Sequence, residues 1–200
     1  MAANITLRYL VLYTAVFATV VWLFYTIPSE GTEALTAQTT AWALTLFGHT
    51  VSWGEQNGYT TLTLTGQHPV TVSIIRECTA LNVLGIMTGL ILPLRTSRIR
   101  RLAGIALSGA LLFALNIPRI ALTVYLTAFD TWPFTLIAQR SLETYHYPIS
   151  FAFGVIGVVT TILAVSQWTT PKLSETLLDI VDKAGEALKG FIARTSRGTP

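Results

Sequence analysis

Only one cysteine, Cys78, occurs in the 200 residues, and only 12% of the chain is charged. A single thiol excludes an intramolecular disulfide and with it a disulfide scaffold. An average soluble domain is about one quarter charged. Half that share, with 52% hydrophobic residues and a mean hydropathy of +0.56, argues against a soluble globule and against disorder. The net charge of +3 is no argument for nucleic acid, because the basic residues sit beside apolar segments. Internal repeats and low-complexity tracts are absent from the sequence.

Four apolar runs are long enough to cross a bilayer: residues 9–27, 78–94, 102–129 and 147–167. The first reads YLVLYTAVFATVVWLFYTI, with no clear small-x-small cleavage site before Pro28. It is expected as a retained anchor and not a cleaved signal peptide. The second run is just long enough, and Asn82 weakens it slightly. The third exceeds what a membrane needs and contains Asn116, Pro118 and Arg119. A kink is expected at Pro118, which removes a backbone donor. The fourth carries Gly154 and Gly157, small residues that allow close helix contact.

Basic residues set the expected orientation. Arg95, Arg98, Arg100 and Arg101 lie between the second and third runs. Lys172, Lys183, Lys189, Arg194 and Arg197 follow the fourth, and Arg8 precedes the first. The opposite side holds only Arg76 and Arg140. Both termini are therefore expected in the cytoplasm, with residues 28–76 and 130–146 outside. In the outer segment, Leu35, Trp42 and Leu46 suggest an interfacial helix over residues 34–48. Trp42, Trp53 and Trp132 suit the outer headgroup level, and Trp168 the inner one. The alternating YTTLTLT and VTVSII, separated by residues 66–69, predict a β-hairpin. Apolar residues at 173, 177, 180, 181, 184, 188 and 191 predict an amphipathic helix on the inner leaflet or capping the bundle.

The expected fold is an all-α integral membrane protein, a single membrane domain over residues 1–200. It consists of a bundle of about four transmembrane helices, an outer interfacial helix, a small outer β-hairpin and a cytoplasmic tail over 168–200.

This topology brings three chemically distinctive residues to one level. Cys78 begins the second run at its outer end, and His146 directly precedes the fourth. Arg119 lies 17 residues after Leu102, about 26 Å up a helix rising from the inner face. A lone buried cysteine is usually packing, but a helix start favours thiolate, and Arg76 beside it could add to this. A guanidinium inside a spanning segment costs at least about 2.5 kcal/mol, which makes function its default reading. Together the three supply a nucleophile, a base and an electrostatic stabiliser, the composition of an acyl-transfer thiol enzyme.

Asn116 is one turn before Arg119 and could hydrogen-bond Arg119, the Cys78 backbone or a substrate. Asn82, Asn116 and Thr79 are candidates for lining the cleft. His49 and His68 read as solvated loop histidines, and no ligand spacing supports a metal site. Arg140 and Glu143 read as a surface pair.

The motifs Glu77-Cys78-Thr79-Ala80, Asn116-Ile117-Pro118-Arg119 and His146 resemble, in order and spacing, those of the archaeosortase/exosortase family of membrane-embedded cysteine transpeptidases. The resemblance covers about residues 70–165. Family members show Cys-Ser/Thr-Gly, then Asn-x-x-Arg, then His or Arg; His146 is nearer the exosortase pattern. Ala80 stands where the family usually has Gly, and many members have more crossings. The resemblance implies catalytic roles for Cys78, Arg119 and His146 without a cofactor. The implied substrate is a C-terminal sorting signal of secreted proteins: a short motif, a transmembrane helix and a basic tail. Cleavage would pass through a thioester, resolved by an amine, a lipid or another nucleophile. The rival reading is a non-enzymatic membrane partner of an export or polymer-secretion system, with Cys78 as packing.

Overall fold

The computed structural model describes residues 7–129, 131–132 and 141–195. Among these residues, six α-helices, one 3-10 turn and three strands follow in chain order. Helix α1 (Leu7–Thr26) is apolar around most of its surface, as a helix needs when protein covers one face and lipid the rest. Helix α2 (Glu30–Leu46) carries Glu30 and Glu33 in its first turn, where the helix dipole favours negative charge. It buries Thr36, Ala37, Thr40, Ala41 and Leu44. The apolar positions Leu35, Trp42 and Leu46 point away from the protein, as a helix lying against an interface requires.

Three strands form one antiparallel sheet in the order β1-β2-β3. The expected hairpin is β2 (Tyr59–Thr65) with β3 (Val70–Ser73). Strand β1 (Thr50–Gln56) was not expected and pairs along the whole of β2. Asn57 and Gly58 join them, both at positive φ (54° and 78°), the backbone of a type I′ turn. Leu62 and Leu64 alternate onto the buried face of β2. With Val72 and Ile74 they pack against Ala37, Ala41 and Leu44 of α2 and against the C-terminal part of α4 (Arg98–Ala128). The turn after β2 closes tightly on the end of α4. A methyl at Gly66 would lie 2.8 Å from the Ala128 carbonyl, and His68 N–H donates to that carbonyl at 3.0 Å.

The second apolar run does not span as one helix. Residues Arg76–Cys78 form a 3-10 turn, and helix α3 occupies only Leu81–Ile91. Eleven residues rise about 16 Å, roughly half the hydrocarbon thickness. The head of the run is used in the turn, and Pro93 cannot extend the other end. Among the described residues, three helices are long and apolar enough to cross a membrane: α1, α4 and α5 (Leu142–Trp168). Helix α4 continues through Pro118. Ser97 and Ser141 cap α4 and α5 by accepting from Arg100 N–H and Thr144 N–H.

A second core joins Tyr13 of α1, Met87 and Ile91 of α3, Leu112 of α4 and Val165 of α5. Helix α6 (Lys172–Thr195) closes it by inserting Leu173, which is fully buried. The expected tail helix therefore caps the bundle. Lys172, Lys189 and Arg194 lie on α6 but their side chains are outside the described residues, as are Arg140 and Arg197 altogether.

The closest helix approach lies elsewhere than expected. A methyl at Gly154 would meet nothing within 4 Å, and one at Gly157 would make only ordinary contact. In contrast, a methyl at Gly85 would lie 2.7 Å from Phe24 Cβ, and one at Gly89 2.9 Å from Phe17 Cδ2. Gly85 and Gly89, one turn apart, let α3 pack directly on α1. Tyr13 OH fastens the same pair by donating to the Leu90 carbonyl at 2.6 Å.

Candidate active site

Cys78 is the last residue of the 3-10 turn between β3 and α3. It precedes the first residue of α3, so the expected placement at the head of that helix is corrected. The turn consumes the Cys78 N–H, which donates to Ile75 O at 2.8 Å. Thr79 stabilises the exit: its hydroxyl donates to Arg76 O at 2.7 Å and accepts from Leu81 N–H at 3.3 Å.

Arg76 is turned away to α1. Its Nη1 donates to Phe24 O at 2.9 Å, and its Nη2 donates to Ile27 O. These carbonyls belong to the free C-terminal end of α1, the negative end of its dipole. Arg76 thus anchors the cysteine-bearing turn to α1, a role different from the thiol-activating one considered above.

The Cys78 carbonyl is held from α4. Asn116 is 7% exposed, and its Nδ2 donates to Cys78 O at 2.8 Å. Of its open alternatives, Asn116 takes the Cys78 backbone. One turn on, Arg119 Nη2 donates to the same oxygen at 3.4 Å. A guanidinium has five N–H donors, so this long bond leaves most of its capacity for a ligand. The thiol itself makes a weak contact, Sγ to Ser73 O at 4.0 Å.

Cys78, Arg119 and His146 line one cavity of about 220 Å³. Three separate elements deliver them: the turn after β3, helix α4, and the start of α5. His146 lies in the second turn of α5, slightly further into the helix than the run boundary at 147 suggested. Its ring meets the Tyr147 ring edge-on at 5.6 Å. Glu143 lines the same cavity; its expected partner Arg140 lies outside the described residues. Val72, Ile74, Ile75 and Val124 supply apolar walls, which lower the local polarity and strengthen electrostatics inside.

On the other side of Arg119 a second chamber of about 240 Å³ is lined by Thr79, Asn82 and Asn116. All three cleft candidates therefore meet, but in this chamber and not with the thiol. A larger cavity of about 640 Å³ lies between α2 and α4, against Leu44, Phe47 and Pro118. It contains His49, whose ring lies tilted against those of Tyr125 and Phe129 at 5.2 and 5.0 Å. His49 keeps the expected loop position but is half-buried against aromatic rings of α4 and its end rather than fully solvated. Among the described residues, no group of three or more His, Cys, Asp or Glu side chains could hold a metal ion.

Chemically, the first cavity combines a thiol, an imidazole and a guanidinium with spare donors, a set suited to acyl transfer. Sequence reasoning missed the Ser73 carbonyl and the fixing of Arg76 on α1, because backbone acceptors leave no signature in residue type. No curated protein and no solved structure matches the chain. A family model described as transmembrane exosortase matches residues 2–135. That stretch runs from α1 through α4 and takes in Cys78 and Arg119, with His146 following it. By this match over most of its length, joined to three helices long and apolar enough to span a membrane, the chain belongs to the transmembrane exosortase family.

Proposed function

We propose that the protein is a membrane-embedded cysteine peptidase or transpeptidase that cleaves a C-terminal sorting signal of secreted proteins. The observation that carries this reading is the single cavity shared by Cys78, Arg119 and His146. His146 takes the thiol proton, and the Cys78 thiolate attacks the scissile carbonyl. Negative charge develops on that oxygen, and free N–H groups of Arg119 receive it. The C–N bond then breaks, and the proton on His146 passes to the leaving amine. A thioester remains on Cys78. Water or an amine, free or on a lipid, gives a proton to His146 as it attacks the thioester carbonyl; the C–S bond breaks, and His146 passes that proton to the departing sulfur.

The arginines at the start of α4 and the basic residues after α5 support a cytoplasmic location for both termini. The cavity lies at the opposite end of α4, beside the sheet, which supports a reaction at the outer face of the cytoplasmic membrane. The sorting signal, the bilayer and an amine or lipid acceptor are the partners of this reading.

The test is labelling in intact cells or sealed vesicles with a membrane-impermeant thiol electrophile. Cys78 is expected to react from the outside, with the reaction slowed in His146→Ala. No labelling from outside, with labelling restored only after detergent, contradicts the reading and favours the packing role of an assembly partner.

A further inference from the structure

The second chamber contains chemistry that the reaction above does not use. Its floor is α4 and its sides are α3 and α5. Both sides pack on α4, while α3 and α5 do not form a packed pair. At Gly154 the α5 side is open, since an added methyl would meet nothing within 4 Å. Asn82 lines the chamber, and its side-chain oxygen is buried with no hydrogen-bond partner among the described residues. An unpaired buried acceptor is costly unless something else fills its place. Exposed Glu77 adds a carboxylate at the Cys78 end.

We infer that this chamber receives the first turn of the helix on the leaving-group side of the substrate, with Asn82 accepting from its free N–H groups. The inference rests on the peptidase reading. The first four N–H groups of any helix lack an intrahelical partner. Inside a bilayer, protein must supply one. A peptide that passes over Cys78 and then enters the membrane as a helix presents those groups just beyond the scissile bond. Asn82 lies one turn past Cys78 on the membrane side, where those donors arrive. The positive end of the incoming dipole also meets Glu77. Asn82 acts as a positioning residue: it fixes which bond reaches the thiol.

Cross-linking tests this without turnover. The full chain carries Cys78→Ser, so that Gly154→Cys or Ile156→Cys supplies the only thiol. Ile156 lies at similar depth on α5 but is 53% exposed. The probe is a synthetic single-span peptide of about 20 Leu and Ala residues. It has a polar leader, a basic tail and one cysteine in its first helical turn, and it is co-reconstituted in vesicles. Under oxidising conditions Gly154→Cys is expected to form the disulfide at least about fivefold faster than Ile156→Cys, the ratio set by about 1 kcal/mol. Asn82→Leu is expected to abolish that preference, and Asn82→Asp, which keeps an acceptor oxygen, to retain it. Leucine is the better membrane residue, so a lost preference in Asn82→Leu is not a loss of insertion; unchanged gel-filtration behaviour checks this. Equal rates at the two positions, or an undiminished preference in Asn82→Leu, overturn the inference. Failure of the peptidase reading shows separately, as continued substrate processing by Cys78→Ala.

Discussion

Replacing Asn116 with alanine tests how the site holds its nucleophile. The Asn116 amide makes the short bond to the Cys78 carbonyl, 2.8 Å against 3.4 Å for Arg119. Without it, the carbonyl keeps only the longer bond. Side-chain hydrogen bonds between membrane helices average about 0.6 kcal/mol and reach about 1.7. Because Asn116 is nearly buried, its deletion also leaves a small void, and the expected stability loss is about 1–2 kcal/mol. The rate effect is larger. Arg119 is drawn onto the vacated carbonyl and away from the oxyanion, and the turn bearing the thiol loosens. Removing one oxyanion donor outright costs about 10²–10³ in rate; displacing it is expected to cost about 10–100-fold. Single-turnover acylation of Cys78 in proteoliposomes measures the rate, and thermal unfolding in detergent measures the stability. Since both side chains serve one oxygen, Asn116→Ala and Arg119→Lys should be non-additive, with a coupling of about 0.5–3 kcal/mol. A wild-type acylation rate in Asn116→Ala, or strict additivity with Arg119→Lys, refutes this reasoning.

Arg119→Lys alone is expected to lower acylation by at least about 100-fold while the protein still inserts, because lysine keeps the charge and loses the planar fork. Near wild-type acylation would rule out the oxyanion role. His146→Ala is expected to lower the rate by about 10²–10⁴. The imidazole accepts a proton only when neutral, so the wild-type rate should rise with pH through its titration, and the variant profile should be flat there. Gly85→Ala places a methyl 2.7 Å from Phe24 Cβ; overpacking of this kind costs about 1–3 kcal/mol. Unfolding in detergent should show that loss, with little change in the reactivity of Cys78 toward a small electrophile.

Elements marked by strong local patterning were legible in the sequence. The apolar spacing from 173 to 191 anticipates α6, and the alternation around Leu62, Leu64 and Val72 anticipates the hairpin. Strand β1 was harder because TVSWGEQ buries little of either face, so its hydrophobic pattern is faint. The signal lay in Asn57-Gly58, a dipeptide that favours two positive-φ positions. Length of the apolar run misled for residues 78–94, since hydropathy does not register a 3-10 turn. Glycine spacing also misled: Gly154/Gly157 and Gly85/Gly89 are alike as local patterns, and only tertiary packing decides that Phe17 and Phe24 lie against the second pair. The convergence of Cys78, Arg119 and His146 was legible through depth arithmetic. The Asn116 contact was legible only as one of three alternatives and the Arg76 contact not at all, because each ends on a backbone carbonyl distant in sequence.

The central claim is that Cys78 becomes acylated by a substrate carbonyl, and direct trapping tests it. Membranes containing the wild-type chain are quenched in acid, digested under conditions that preserve thioesters, and searched by mass spectrometry for peptides attached to Cys78. The account predicts a hydroxylamine-labile adduct ending in the new C-terminal residue of a secreted protein. It also predicts that the adduct is absent in Cys78→Ala, diminished in Arg119→Lys, and accompanied by the released helix with its basic tail. Processing of secreted proteins that continues unchanged in Cys78→Ala would contradict it.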